Sequence, residues 1–265
     1  MTAFTQLQFS IDGPIARIWL DQPATRNAFD DRVIAELTQA FEAAGRDPAV
    51  RVVVLGASGP AFCAGANLDW MRRMADYTRD QNLADAGKLA EMLRTIAGCP
   101  KPTIARIQGD VYAGGMGLVA ACDLAVSVDT AGYCLSEVRI GLVPATISPY
   151  VIRAIGHRAA QRYFLTAERF DAAEAHRIGF VHEVVAADAL DGKVAEWTKA
   201  FAGNSPAAVA ACKKLIADVS GQEIEPGLIA RTVEGIADIR ASAEGREGVQ
   251  AFLQKRKPSW LQAAP

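Results

Sequence analysis

An α/β fold is what this 265-residue sequence predicts, on three observations. Branched runs such as residues 50–55 and Thr103–Ile107 are too short for helices and read as buried strands. They alternate with stretches that carry apolar residues at helical spacing, the traffic typical of α/β proteins. Two glycine-rich turns, at 56–68 and 109–117, each stand after a strand and before a helix.

Taken in order, Leu7–Asp12 and Ile15–Leu20 alternate as two strands, with Asp12-Gly13-Pro14 turning between them. Residues 22–25 form a loop, and Asn27 with Asp30 is expected to cap a helix carrying Val33, Leu37, Phe41 and Ala44. The strand at 50–55 and the first glycine turn follow. The longest helix then puts Leu83, Ala86, Leu89, Ala90, Leu93 and Ala97 on one face and stops at Gly98 and Pro100. Thr103–Ile107 leads through the second glycine turn into an apolar helical run at 118–122. Leu124–Val128 and residues 132–135 read as strands, and 136–145 as a loop holding one acid, Glu137. From Thr146 the chain is mainly helical, with segments at 171–178, at Pro206–Val219 and around Ile229 to Ile239. The expected division is an α/β body over residues 1–195 and a helical region over 196–265.

Composition excludes several function classes. A net charge of −2 offers no general attraction to nucleic acid or to an anionic membrane surface. No apolar run reaches bilayer-spanning length. The start, MTAFTQLQFSIDG, has neither the basic nor the apolar segment of a secretory signal. The five cysteines are an odd set without a C-x-x-C pair, as expected of free thiols in a reducing compartment. His157, His176 and His182 share no metal-ligand spacing. The expectation is a cytoplasmic protein without a metal, in which Asp123 is a turn residue rather than a catalyst.

Each glycine turn brings a backbone N–H to a helix start: Ala66 in CAGAN and Gly114 in AGGMG. There the unpaired donors and the helix dipole favour negative charge. A single such turn is as readily explained by close packing. Two N–H groups that converge form an oxyanion hole, which stabilises charge developing on a carbonyl oxygen. A thioester enolate suits that role, because its charge appears on this oxygen when a proton moves at the α-carbon.

Four motifs, in order, then resemble the crotonase (enoyl-CoA hydratase/isomerase) superfamily. They are NAFD at 27–30, AFCAGANL at 61–68, GGMGLVAACDLAV at 114–126 and LSEVRIGLVPATISPYVIRAIG at 135–156. The similarity covers nearly the whole chain, including the tail AFLQKRKPSW. The fourth motif, with RYFLTAERFDAAEA at 162–175, is most similar to bacterial methylglutaconyl-CoA hydratases.

The resemblance implies a crotonase-like spiral of β-β-α turns, followed by a C-terminal helical trimerisation region in a homotrimer or dimer of trimers. It implies an acyl-CoA substrate and no separate cofactor, coenzyme A being part of the substrate, with no nucleic-acid or membrane partner. Ala66 and Gly114 would supply the oxyanion-hole N–H groups. Arg26, Ala64, Asn67 and Leu68 would line the CoA and acyl channel. Lys255, in the cationic tail, would reach CoA phosphates or belong to a solvated helix end.

Two departures from the family pattern matter. Asn67 stands where Asp is usual and keeps a helix-capping side chain. Family hydratases carry two glutamates: the second matches Glu137, but the first falls on Gly117, which has no functional group. Losing an acid–base partner costs roughly 10²–10⁴-fold in rate. The expected substitutes are Tyr112, a water for which Gly117 leaves room in the substrate site, or a carboxylate on a glutaconyl substrate. Trp70 and Met71 would shape the acyl pocket, and Arg72 or Arg73 would bind such a distal carboxylate or face solvent. The activity implied is hydration of an enoyl-CoA, 3-methylglutaconyl-CoA or a related branched thioester. The alternative is an enoyl-CoA isomerase with Glu137 as its single base.

Overall fold

The computed structural model describes residues 4–261. It opens with the antiparallel strands β1 (Leu7–Asp12) and β2 (Ile15–Leu20), paired from Leu7↔Leu20 to Asp12↔Ile15. One tight helical turn, Pro23–Thr25, stands in the expected loop and leads to α1 (Asp31–Arg46). Three β-β-α units follow. The first is β3 (Val52–Ala57), β4 (Ala61–Cys63), α2 (Leu68–Ala75) and α3 (Arg79–Ala97). The second is β5 (Thr103–Ile107), β6 (Asp110–Tyr112) and α4 (Gly114–Ala121). The third is β7 (Leu124–Val128), β8 (Gly132–Cys134) and, past a tight turn at Glu137–Ile140, α5 (Ser148–Thr166), which breaks at Gly156. After them come β9 (Phe170–Asp171), α6 (Ala172–Arg177) and β10 (Glu183–Val185). The chain ends in α7 (Leu190–Gly203), α8 (Pro206–Val219), α9 (Pro226–Ala241) and α10 (Ala243–Leu253).

In each unit the first strand enters one sheet and the second strand another. The six-stranded sheet has the order β1-β2-β3-β5-β7-β10, and the four-stranded sheet the order β4-β6-β8-β9. This is the spiral of β-β-α turns that the motifs implied. β3 is buried along its whole length, as a parallel strand covered on both faces must be, so its sequence does not alternate. The strands β4, β6 and β10 were not foreseen. Each has three residues, too few to display a period of two.

The long helix also differs from expectation. α3 buries Met92, Leu93 and Ile96, whereas Leu83 is exposed. Only its last turns face the core, and its first half is left to flank a cavity. α7 runs through positions 195 and 196, burying Leu190, Val194 and Thr198 against β3, β5 and β7. Asp123 is a joint: it accepts from the Thr103 N–H and hydroxyl and from Lys213 of α8, at 2.8, 3.0 and 2.7 Å. Among the described residues no helix is long and apolar enough to cross a membrane.

The cap before α1 is Asp30 alone, which accepts from the Arg32 and Val33 N–H groups. Asn27 has another task. Buried and in the left-handed region at φ 54°, it donates to the Ser58 and Ala61 carbonyls and accepts from the Gln22 N–H. It therefore fastens the segment before α1 to the loop between β3 and β4. Asparagine suits the position because it tolerates left-handed backbone and offers both donor and acceptor.

Gly117 corrects an expectation. It is buried in α4, and a Cβ placed on it would lie 2.2 Å from Ile147 Cγ2 and 2.8 Å from Ile147 Cβ. The room expected there for substrate or a water is filled by the isoleucine that precedes α5. No functional group replaces the missing glutamate at this point of the wall.

Two stability measurements test this packing. Asn27→Ala is expected to lower the unfolding free energy by about 3 kcal/mol in urea, from lost hydrogen bonds and left-handed strain. A loss under about 1 kcal/mol would mean that the polar joint is dispensable. Gly117→Ala is expected to cost about 1–3 kcal/mol by overpacking. Ile147→Ala in the same chain should relieve it, so the double variant is more stable than the sum of the singles. Strict additivity would show that the two side chains do not compete for one space.

Candidate active site

The site begins at Phe29. Its N–H donates to the Gly65 carbonyl and its own carbonyl accepts from Asn67, both at 2.9 Å. This isolated parallel bridge sets Phe29 beside Ala66, whose N–H consequently points away from it. Gly65 is required in the turn: its φ is +91°, and a Cβ there would come within 3.0 Å of the Ala113 methyl. Asn67 closes the turn by accepting from the Asp69 and Trp70 N–H groups, which starts α2.

The second turn presses against the first. Ala113 is held by its N–H to the Cys134 carbonyl at 2.8 Å and has φ 47°, ψ −121°. For alanine that conformation costs about 1–3 kcal/mol, and it sets the plane of the peptide that carries the Gly114 N–H. Gly114 lies under the Phe29 ring, so close that a Cβ would fall 2.4 Å from Phe29 Cζ. The Ala66 and Gly114 N–H groups have no acceptor among the described residues.

Ala66 and Gly114 both line one cavity of about 570 Å³. Its floor is Phe29, Ala64, Ala66, Ala113 and Gly114, and one wall comes from α2 and α3. The opposite wall is the loop from Ser136 to Ile147, which contains Glu137. That loop is drawn tight at Gly141, with φ 77°, and its Leu142 N–H returns to the Glu137 carbonyl. Glu137 Oε2 is buried without a hydrogen-bond partner. Burial raises the Glu137 carboxyl above its ordinary 4.5, against a smaller opposing effect of its own backbone N–H. Arg139 does not pair with it, but donates to the Ala167 carbonyl instead.

Of the residues singled out in the sequence, Ala64, Ala66, Leu68, Gly114 and Glu137 meet in this cavity. Arg26, Asn67, Gly117 and Lys255 do not line it. Arg26 is exposed beside it, since its carbonyl accepts from Ala64 N–H, and its guanidinium has no partner among the described residues. Asn67 is turned to its capping role. Lys255 is exposed just past α10. Tyr112, a proposed stand-in for the missing glutamate, is engaged with Asp110 and Arg169 outside the cavity. Trp70 and Met71 do line it, whereas Arg72 pairs with Asp69 and Arg73 with Asp31. The sequence reading missed Phe29, Asp85 and Ile147, because their meeting depends on elements far apart along the chain.

Comparison with known proteins identifies the family. The Enoyl-CoA hydratase/isomerase family profile matches residues 10–263. The chain is similar to the enoyl-CoA hydratase ACTT6 of Alternaria alternata, with 32% identity over 93% of this chain and 81% of that one. It is similar in structure to an enoyl-CoA hydratase of Shewanella pealeana, with a TM-score of 0.95 and 42% identity, covering 97% of this chain and 96% of the other. An enoyl-CoA hydratase of Mycobacterium smegmatis gives a TM-score of 0.91 at 34% identity, over 97% of this chain and all of its own (100%). With sequence and backbone matched from near one end to the other, this chain belongs to the enoyl-CoA hydratase/isomerase, or crotonase, family.

Proposed function

We propose that the chain is a hydro-lyase that adds water across the 2,3 double bond of an enoyl-CoA thioester. The observation that carries this reading is Glu137 Oε2, a buried oxygen without a partner, on a residue that lines the same cavity as Ala66 and Gly114. A buried polar atom left unpaired costs about 1–3 kcal/mol, which a purely structural residue would not retain. The thioester oxygen takes the place between the Ala66 and Gly114 N–H groups. Glu137 accepts a proton from water as the water oxygen bonds to C3, and the double-bond electrons move onto the thioester oxygen as an enolate. The same carboxyl then delivers the proton to C2, so one water is added and Glu137 returns to its starting state. One acid thus serves as base and then as acid.

The distal parts of the substrate are assigned by charge. The free Arg26 guanidinium and the Lys255 ammonium are the proposed contacts for CoA phosphates, Lys255 from the same or a neighbouring subunit. Exposed apolar residues of α8, α9 and α10, among them Ile216, Val233 and Phe252, support a homotrimer or dimer of trimers. Five free cysteines support a cytoplasmic location. Of 3-methylglutaconyl-CoA and related branched thioesters, the latter fit better, because no cationic side chain lines the cavity. The hydratase names of the relatives favour hydration over isomerisation.

Mass spectrometry of crotonyl-, 3-methylcrotonyl-, 3-methylglutaconyl- and a 3-enoyl-CoA, each incubated with the protein, is expected to show gain of one water among the 2-enoyl thioesters and none with the 3-enoyl-CoA. Glu137→Gln should reduce that gain by about 10²-fold or more. A shifted double bond at unchanged mass would make the enzyme an isomerase, and turnover indifferent to Glu137→Gln would sink this mechanism. The pH dependence has a definite sign. Glu137 must be ionised to act as base and its pKa is raised, so kcat/KM should fall with an inflection above 4.5. The raised folded value also means that the ionised carboxylate lowers stability once pH rises through it. At pH 7 thermal unfolding of Glu137→Gln should therefore occur no lower than that of the wild type.

A further inference from the structure

The acyl end of the cavity contains a second acid for which hydration has no evident use. Asp85, on α3, is half-buried on the wall, and its Oδ1 accepts from the indole N–H of Trp70 at 3.4 Å. Trp70 is itself buried and packs on Phe29 with ring centroids 5.9 Å apart, which fixes where the carboxylate stands. Much of the lining is apolar, including Met71, Met74, Leu89, Leu142, Val143 and Ile147, and the polar Asn82 one turn before Asp85 spends its amide N–H on the Tyr77 and Thr78 carbonyls. Among the described residues none that lines the cavity is cationic, and the only ionisable groups there are Asp85 and Glu137, both acids. The cations nearest in sequence are occupied or turned away. Arg72 and Arg73 are paired with Asp69 and Asp31, and Lys88 is exposed and lines no part of the wall.

We infer that Asp85 sets the charge selectivity of the acyl pocket. Its carboxylate repels acyl chains that end in a carboxylate, leaving CoA thioesters with neutral, apolar chains as the substrate class. The inference rests on the cavity being the acyl site of the proposed function. Two like charges a few ångströms apart in a partly buried site shift an equilibrium constant by roughly ten- to a hundredfold. The same apolar lining receives a neutral chain without penalty and gives a charged one no partner to offset its desolvation. Discrimination therefore comes from a repulsive element built into the pocket as well as from its apolar fit.

The test compares ligands that differ in this one charge. Dissociation constants of butyryl-CoA and glutaryl-CoA are measured by isothermal titration, and kcat/KM by loss of enoyl absorbance with crotonyl-CoA and glutaconyl-CoA. The wild type is expected to favour the neutral member of each pair by about tenfold or more. Asp85→Asn, which can still accept from Trp70, should shrink both ratios about tenfold, while Asp85→Glu should keep them. Raising ionic strength should narrow the wild-type gap. Equal or tighter binding of glutaryl-CoA by the wild type, or ratios untouched by Asp85→Asn, would overturn the inference. Absence of hydration with every thioester would instead overturn the proposed activity, and the binding ratio would still decide the role of Asp85.

Discussion

The contact on which the rest of the site depends is the Phe29 ring lying over Gly114. Phe29 holds the first donor turn through its backbone, by bonds to Gly65 and Asn67, and the second through its ring. One residue thus fixes two N–H groups that lie 48 positions apart in sequence, 66 and 114. Since a Cβ at 114 would fall 2.4 Å from the ring, the glycine is needed for this approach whatever its own backbone angles. The far edge of the same aromatic pair, Trp70, carries the constraint on to Asp85. The two glycine turns and the cavity wall are therefore one packed unit, not separate features on a shared surface.

That unit is a net burden on the folded state. Ala113 sits in a strained conformation, Glu137 is buried without a partner, and two backbone N–H groups lack acceptors. The first two each cost on the order of 1–3 kcal/mol. The scaffold offsets them elsewhere. β3 is buried on both faces between β2 and β5, Asn27 stitches the entry to α1 onto the β3–β4 loop, and Asp123 joins β5 to α8 through Lys213. These joints surround the site without entering it, so the strained turns have rigid neighbours against which to hold their shape.

Much of this was legible in the sequence. The strands Leu7–Asp12, Ile15–Leu20, Thr103–Ile107 and Leu124–Val128 lie at the positions read from branched and alternating runs, and α8 begins and ends where its apolar spacing does. The two glycine turns were legible because glycine is a local signal, whereas Glu137 was singled out by its place in the motif that resembles the family. What escaped has a physical reason in each case. β4, β6 and β10 are shorter than the period that would reveal them. Asn27 looked like a cap because a buried amide bonded to distant carbonyls has the same local sequence as a cap. Gly117 looked like an opening because the isoleucine that closes it is 30 residues further on, at 147.

Ile147 also bears on how one carboxylate can suffice. By filling the place where a side chain at 117 would stand, it removes both a second acid and the space for a water there. The wall beside Glu137 becomes apolar, in keeping with the burial that raises its carboxyl above 4.5. A raised pKa makes the carboxylate a stronger base and its protonated form a weaker acid, and a value nearer the working pH is the compromise for one group that must take a proton and return it. Replacing the second acid by an aliphatic side chain thus changes the character of the site. Under the proposed mechanism one carboxyl, set in this apolar wall, both takes the proton from water and returns it to C2.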